Sequence, residues 1–238
     1  MAFACVSEID VHMTSSYMDK TFLTFDIDWA SDEVLDYCID IVESFGVKAT
    51  WFATHATPLL ERLRANPNFE LGIHPNFLPL LNGDFVYGKN YQEVLCYYMD
   101  IVPEATAMRA HSLATSSRIL QASKEKGITH ESNLCIPMQA TKGISPLAPF
   151  VNWDGLVRCP YHYADDVACM YGALQSVRGG GAYLMFGFHP IHMFLNTDTL
   201  YRYEDARPYF NDYSTLKSKR NTGFGARDVL EQVLQERF

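Results

Sequence analysis

Stretches typical of β-strands alternate with stretches typical of α-helices at least five times along this 238-residue chain, with no linker or internal repeat. The alternation favours a single parallel α/β domain, because a helix between two strands lets them pair side by side in parallel. A chain of this length buries an ample core, so neither disulfides nor a structural metal is needed for folding. The predicted strands comprise residues 21–25, 47–53, 69–73, 105–109, 128–132 and 182–188.

Reactive side chains follow the ends of these predicted strands. In parallel α/β folds, functional residues gather just beyond the carboxyl ends of the strands. A single histidine at such a place is usually a structural residue, but several that share one edge favour a common site. The residues at this edge are Asp26, Asp28, His55, His74, Arg109, His111, His189 and His192.

Asp26 and Asp28 form the most informative pair, because they directly follow an apolar strand. Alternate residues of a strand share a face, so both carboxylates can point into the same space. Two carboxylates that close repel each other unless a cation lies between them or one holds a proton. Metal binding by one and proton transfer by the other satisfies this requirement. The alternative is that Asp28 only caps the helix that begins near Ser31.

The charge and the cysteine content limit which partners and which cellular compartment we expect. The net charge is −9 and the 19 basic residues form no run, which argues against nucleic acids and anionic membranes as partners. The six cysteines are widely spaced without a Cys-x-x-Cys motif, as is typical of free thiols in a reducing compartment. Residues 1–20 lack a secretory signal pattern, and no apolar run approaches membrane-spanning length. We therefore expect a cytoplasmic protein without membrane insertion; its oligomeric state is left open.

Four short motifs occur in a fixed order over residues 21–192. They are Thr24-Phe25-Asp26-Ile27-Asp28, Gly72-Ile73-His74, Arg109-Ala110-His111-Ser112 and Phe188-His189-Pro190. In this order the set resembles the T-F-D-D-G, His-x-x-x-His, R-x-P-Y and Leu-x-His motifs of the polysaccharide deacetylases of carbohydrate esterase family four. That family includes chitin, peptidoglycan and chitooligosaccharide deacetylases.

The resemblance implies a fold and a domain layout. The expected fold is an irregular, partly open (β/α)7-type barrel with about seven strands, in a single domain. Residues 1–19 would form an N-terminal arm, residues 21–192 the motif-bearing core and residues 193–238 a C-terminal extension.

The resemblance also implies roles for individual residues. The family binds one divalent transition metal, for which zinc is the expectation here, and hydrolyses an acetyl group. Asp26 falls on the catalytic base, Arg109 on the arginine that pairs with the base, and His189 on the general acid. Asp28 and His74 fall on metal ligands. Asp166 is a looser match to the acidic partner of His189, and Trp29 and Tyr161 lie beside motif residues, where they would stack on the sugar.

One departure from the family pattern concerns the third metal ligand. The second histidine of the metal motif would fall at position 78, where this chain has Leu78. Catalytic zinc sites usually have three protein ligands. His111 is the best replacement, because it lies two residues beyond Arg109 and faces the same way at a strand end. His55 and Asn76 are the alternatives.

Three functions remain open from the sequence. The preferred one is metal-dependent removal of an acetyl group, N-linked rather than O-linked, from a sugar or polysaccharide precursor. A metal-dependent amidohydrolase or phosphatase acting on a small metabolite would also use an Asp-x-Asp motif after a strand. A degenerate barrel that binds carbohydrate without cutting it is supported by Leu78 and opposed by the joint presence of Asp26, Arg109 and His189.

Overall fold

A curled, open sheet of mainly parallel strands forms the centre of the computed structural model, which describes residues 2–137, 147–174 and 183–235. The strands are β1 (Ala2–Ala4), β2 (Lys20–Asp26), β3 (Ala49–Ala53), β4 (Phe69–Ile73), β5 (Ala107–Met108), β6 (His130–Glu131), β7 (Phe150–Val151), β8 (Val157–Arg158), β9 (Tyr163–Ala164) and β10 (Tyr183–Phe188). Their order across the sheet is β7-β8-β6-β5-β4-β3-β2-β10-β9. The predicted start of the last strand at residue 182 lies outside the described residues.

Every described strand pair is parallel except β7 with β8. Strand β1 pairs with residues 20–22 of β2, whereas β3 pairs with residues 24–26, so β1 and β3 follow one another along the same edge of β2. The prediction of a single α/β domain with a partly open barrel is confirmed. The sheet has more than the seven strands expected, because the two-residue strands β7, β8 and β9 extend it.

Helices cover the outer face of this sheet. Helix α1 shows how the sequence sets their limits: Asp32 and Glu33 lie in its first turn, and Gly46 ends it in the left-handed conformation with φ 61°. The helices are α1 (Asp32–Phe45), α2 (Leu59–Ala65), α3 (Leu78–Leu81), α4 (Tyr91–Ile101), α5 (Ser117–Glu125), α6 (Asp165–Met170), α7 (Pro190–Leu195), α8 (Leu200–Ala206), α9 (Tyr213–Ser218) and α10 (Ala226–Leu234).

The alternation of side chains in β2 determines where the site forms. Leu23 and Phe25 pack into the larger hydrophobic core beneath the helices, whereas Phe22 packs into a smaller cluster on the other face of the sheet. Because side chains alternate along a strand, Asp26 lies on the same face as Phe22. The carboxylate at the end of β2 therefore points to the inside of the curled sheet.

The C-terminal elements are tied to the strand-end side of the fold. Asn196, in the left-handed conformation that ends α7, donates to the Gly223 carbonyl and the Asp228 carboxylate, and the Arg220 side chain donates to the Phe194 carbonyl. All six cysteines are free, as predicted. Over the described ranges, each helix is too short or too polar to traverse a lipid bilayer.

Candidate active site

The buried ion pair between Asp26 and Arg109 forms the floor of the candidate site. Asp26 is the last residue of β2, and Arg109 follows β5, so both project from strand ends on the inner face. Arg109 Nη1 donates to Asp26 Oδ1 over 3.0 Å, and the arginine side chain is completely buried. Because a buried charge is costly unless it is paired, this contact compensates for the burial of the Arg109 guanidinium.

The remaining contacts of Arg109 hold its guanidinium in one orientation. Nε and Nη2 donate to the backbone and side-chain oxygens of Ser132 over 3.1 and 3.0 Å. The guanidinium carbon lies 4.1 Å from the ring centre of Tyr161 and 4.9 Å from that of Phe52. Tyr161 is only 5% exposed. The prediction that Tyr161 stacks on the sugar is therefore wrong: its ring packs against Arg109, where a substrate cannot reach it.

The loop after β2 presents Asp28 through an unusual backbone. Asp28 and Trp29 both have positive φ, 38° and 54°, a conformation that costs free energy in residues other than glycine and is frequent at functional sites. The Trp29 amide donates to Thr54 Oγ1 over 3.0 Å and helps to hold this turn. The Asp28 carboxylate contacts histidines rather than the start of α1, so it does not serve as the helix cap that the sequence also allowed.

Asp28, His74 and His111 form a compact group of possible metal ligands. Asp28 Oδ1 lies 3.2 Å from both His74 Nε2 and His111 Nδ1. Burial alone would raise the pKa of the Asp28 carboxyl. Hydrogen bonds with His111 and His74, together with the nearby His74 and His189 rings, outweigh burial and hold that pKa well below its usual value. The ionised carboxylate and two imidazoles are donors that zinc accepts.

The structure places His111, and not the residue at position 78, beside His74. Leu78 is the first residue of α3 and is 36% exposed, so its side chain points to solvent. The His111 amide instead donates to the Pro75 carbonyl over 3.0 Å, which fixes His111 beside the end of β4 and thus beside His74.

The two alternatives for the third ligand lie outside this group. His55 Nδ1 contacts Thr54 Oγ1 at 2.9 Å. Asn76 Oδ1 accepts from the Leu78 amide over 3.0 Å, so its side chain stabilises the start of α3. His111 is therefore the third residue that the structure brings to Asp28 and His74, and its function as a ligand stays a prediction.

His189 faces the two aspartates and is supported from behind by Asp165. Its Nε2 lies 3.8 Å from Asp26 Oδ2 and 3.7 Å from Asp28 Oδ2. On the other side, its Nδ1 contacts Asp165 Oδ1 at 2.6 Å, and its backbone amide donates to Asp165 Oδ2 over 2.7 Å. The supporting carboxylate predicted at Asp166 is therefore provided by Asp165, one residue earlier.

The reason for the correction is the geometry at the start of α6. Asp165 is fully buried and turned towards His189, whereas Asp166 Oδ1 accepts from the Val167 amide in the first turn of the helix. Burial lowers the pKa of His189, but the charge and hydrogen bond of Asp165 outweigh it and place that pKa well above its usual value. Asp165 thus favours a protonated His189, the state required of a general acid.

We expect the exchange of Asp165 for Asn to move the alkaline limit of activity to lower pH. A raised pKa keeps His189 protonated to higher pH, and removal of the carboxylate lowers that pKa, so the protonated fraction disappears earlier as pH rises. The measurement is the pH profile of kcat in Asp165→Asn. Asp166→Asn is the matched control: its charge also raises the pKa of His189, but without a hydrogen bond, so the alkaline limb should move less than in Asp165→Asn. A larger shift in Asp166→Asn than in Asp165→Asn would restore Asp166 as the partner.

A cavity of about 610 Å³ opens above these residues. Asp28, His111 and His189 line its inner end. Trp29, which is 40% exposed and packs edge-on against His111 at 5.1 Å, lines it as well, where a sugar ring can reach it. The predicted site residues other than Tyr161 therefore lie in or around one space. Asp166 lies at its wall, and the buried pair Asp26 and Arg109 lies behind His189, whose Nε2 is 3.8 Å from Asp26 Oδ2.

Sequence reasoning missed the part of this cavity that comes from the C-terminal segment. His192 follows the site histidine by one helical turn in α7, and Leu200, Tyr203, Arg207, Phe210 and Asn211 come from α8 and the residues after it. These residues carry no motif, and their distance from the motifs in the sequence gives no sign that they return to the site.

A family model for polysaccharide deacetylases of the WbmS-like type matches residues 23–207, which is most of the chain. The chain belongs to the polysaccharide deacetylase family. A solved structure from Bordetella bronchiseptica, described as a candidate polysaccharide deacetylase involved in O-antigen biosynthesis (WbmS), is 41% identical to it. The match covers 99% of this chain and 98% of that one, with a TM-score of 0.90. The resemblance inferred from the four motifs is therefore confirmed.

More distant likenesses add nothing to this assignment. A candidate polysaccharide deacetylase from Mycobacterium smegmatis is 15% identical, with 91% of this chain and 88% of that chain covered and a TM-score of 0.45. No curated protein matches this polysaccharide deacetylase family member.

Proposed function

We propose that this protein is a metal-dependent hydrolase that removes the acetyl group from an N-acetylated sugar of a polysaccharide precursor. The observation that carries the proposal is the convergence of three groups around one space. They are the ligand group Asp28, His74 and His111, the ion pair Asp26–Arg109 and the pair His189–Asp165. Membership of the deacetylase family makes hydrolysis of an acetyl group the chemistry to which these groups are matched.

The residues present fit a zinc ion. Ligand atoms about 2.0–2.2 Å from a tetrahedral ion lie about 3.3–3.6 Å from one another. The Asp28 oxygen lies 3.2 Å from each of the two histidine nitrogens, close to that spacing. When bound, such an ion supplies Lewis acidity, which polarises the acetyl carbonyl and makes water a better nucleophile.

The proton transfers fall to two of the chain's own residues. Asp26, held in place by Arg109, accepts the proton of the attacking water. His189 Nε2 faces the same space and donates a proton to the leaving nitrogen, while Asp165 holds the imidazole by Nδ1. Asp26 Oδ2 and His189 Nε2 are 3.8 Å apart. This separation lets the base serve the attacking water and the acid serve the leaving nitrogen at the same carbonyl carbon.

The test of this function is acetate release from N-acetylated hexosamines and their oligomers. We expect release by the zinc-loaded protein, loss of release after removal of metal by a chelator, and recovery on addition of Zn²⁺. Release that persists undiminished in thoroughly metal-free protein would overturn the metal dependence. Phosphate release from phosphate esters without acetate release would point instead to the phosphatase alternative.

The relative from Bordetella supports the choice of substrate class, since it is described as involved in O-antigen biosynthesis. We propose an acetylated sugar of a surface polysaccharide pathway as the substrate here. A cytoplasmic location and a substrate assembled inside the cell stay predictions from the sequence.

A further inference from the structure

The cavity above the metal group is bounded on two sides by aromatic residues from distant parts of the chain. Trp29 lies beside His111, which follows β5, whereas Tyr203 lies beside His192, which follows β10. Strands β5 and β10 lie on opposite sides of β2 in the sheet. The two aromatic rings therefore pack on histidines from opposite sides of β2, and Asp28, in the loop after β2, lines the same cavity.

Tyr203 is held firmly from behind. Its ring stacks on that of His192 with centres 4.8 Å apart and planes 27° apart, and His192 in turn lies 5.7 Å from His189. Phe210 packs edge-on against Tyr203 at 5.4 Å. This chain of rings sets the position of Tyr203 relative to the proposed acid, because packed rings fix one another's orientation.

The helix that carries Tyr203 is fastened to the rest of the segment. Arg202 donates to the Lys219 carbonyl over 3.1 Å and to Asp198 Oδ1 over 2.6 Å. Lys219 Nζ contacts Asp205 Oδ2 at 2.7 Å. The α8 wall, by which we mean α8 and the turn after it to Phe210, is thus a built part of the fold, and its residues Tyr203, Arg207 and Phe210 line the cavity.

The dimensions of the cavity limit what can enter it. A volume of about 610 Å³ lies within the range of about 300–1,000 Å³ that is usual for sites that enclose a small ligand. A polymer bound through an internal unit needs a groove that is open at both ends. Here Tyr203, Arg207 and Phe210 stand along one side of the cavity, where a continuing chain would have to pass.

We infer that Tyr203 is the stacking platform for the acetylated sugar ring, and that the α8 wall restricts the site to a sugar unit at a chain end or on a carrier. The apolar face of a sugar ring packs on an aromatic ring, and the half-buried Tyr203 lines the cavity. Tyr203 is thus a positioning residue that orients the acetyl group towards Asp26 and His189. This inference rests on the proposed deacetylase function.

The first experiment measures binding with the zinc-loaded Asp26→Asn protein, which should bind sugars without turning them over. The probes are the methyl glycosides of N-acetylglucosamine, N-acetylgalactosamine and N-acetylmannosamine. For the sugar that binds, Tyr203→Ala in the same background should raise Kd by roughly tenfold, the scale of losing an aromatic anchor in a binding site. Tyr203→Phe should retain the affinity to within about twofold, because the ring is kept.

Tyr201→Ala is the matched control, since Tyr201 lies on the same helix but is 80% exposed and does not line the cavity. Zinc content should be equal in all these variants. An unchanged Kd in Tyr203→Ala, an equal loss in Tyr203→Phe, or no binding of any single acetylated sugar overturns the inference.

The second experiment tests the restriction to a terminal unit. A five-unit oligomer of the binding sugar that binds through a chain end should bind at least about tenfold more weakly when both of its ends carry a bulky group, because the α8 wall would then stand in the path of the continuing chain. If the uridine diphosphate sugar binds more tightly than the methyl glycoside, the unit is linked to a carrier. If the free oligomer binds more tightly than the methyl glycoside, the unit lies at a chain end.

Equal binding of the blocked and free oligomers overturns the restriction. Acetate release by the wild-type protein from internal units would overturn it too, while leaving the deacetylase function intact. Failure of the deacetylase function itself would appear separately, as absence of metal-dependent acetate release from every probe.

Discussion

The Asp26→Asn protein is expected to release acetate roughly 10²–10⁴-fold more slowly than the wild type, the usual scale for losing a general base. Asparagine has nearly the same shape and keeps an oxygen that can accept from Arg109 Nη1, but it cannot take a proton from water. Asp26 is not a member of the ligand group, so zinc content should stay at the wild-type level. Steady-state acetate release and elemental analysis of the same preparation check both parts.

Thermal unfolding is the control for this variant. Arg109 is fully buried, and exchange of its carboxylate partner for an amide leaves its charge without a counterion, so we expect a lower Tm in a protein that still folds. Loss of zinc together with activity in Asp26→Asn would mean that Asp26 and Asp28 have the opposite roles.

The His189→Ala protein is expected to lose most turnover on an N-acetylated sugar, because the amine leaves poorly unless it is protonated as the bond breaks. Hydrolysis of an acetate ester with a good leaving group needs little proton donation and should change far less. The ratio of the two activities is the measurement. It separates a proton donor from a residue that only shapes the site, since a shape change affects both substrates.

His192 provides the comparison for this second prediction. It lies one turn later, is buried against Tyr203, and burial lowers its pKa, so it is poorly suited to hold a proton. If N-acetyl turnover survived in His189→Ala and disappeared in His192→Ala with the ester activity intact, the acid would be His192.

Much of the fold and the centre of the site follow from local sequence patterns. The strand that ends at Asp26 is continuous and apolar, and its period of two places Asp26 on the inner face of the sheet. The proximity of Asp28, His74 and His111 could be anticipated because parallel strands end at a common edge. These predictions depend only on the strands being parallel, which the alternation of strand and helix along the sequence indicates.

The sequence-based predictions that need correction depend on the orientation of one side chain or on contacts between distant segments. Asp165 and Asp166 are adjacent acidic residues, and only the turn into α6 decides that Asp165 reaches His189. Tyr161 lies close to the site but packs on the guanidinium of Arg109. The Tyr203 wall is formed by tertiary packing of α8 on His192, for which a local pattern carries no signal.

Zinc stoichiometry after removal of metal and reconstitution is the most direct test of the proposed centre. We predict one ion per chain in the wild-type protein and in His55→Ala, whose side chain contacts Thr54 rather than the ligand group. We predict loss of stoichiometric zinc in Asp28→Ala, His74→Ala and His111→Ala. A His111→Ala protein that binds one zinc ion with wild-type affinity would contradict the account, because the ligand set built from Asp28, His74 and His111 would then be wrong.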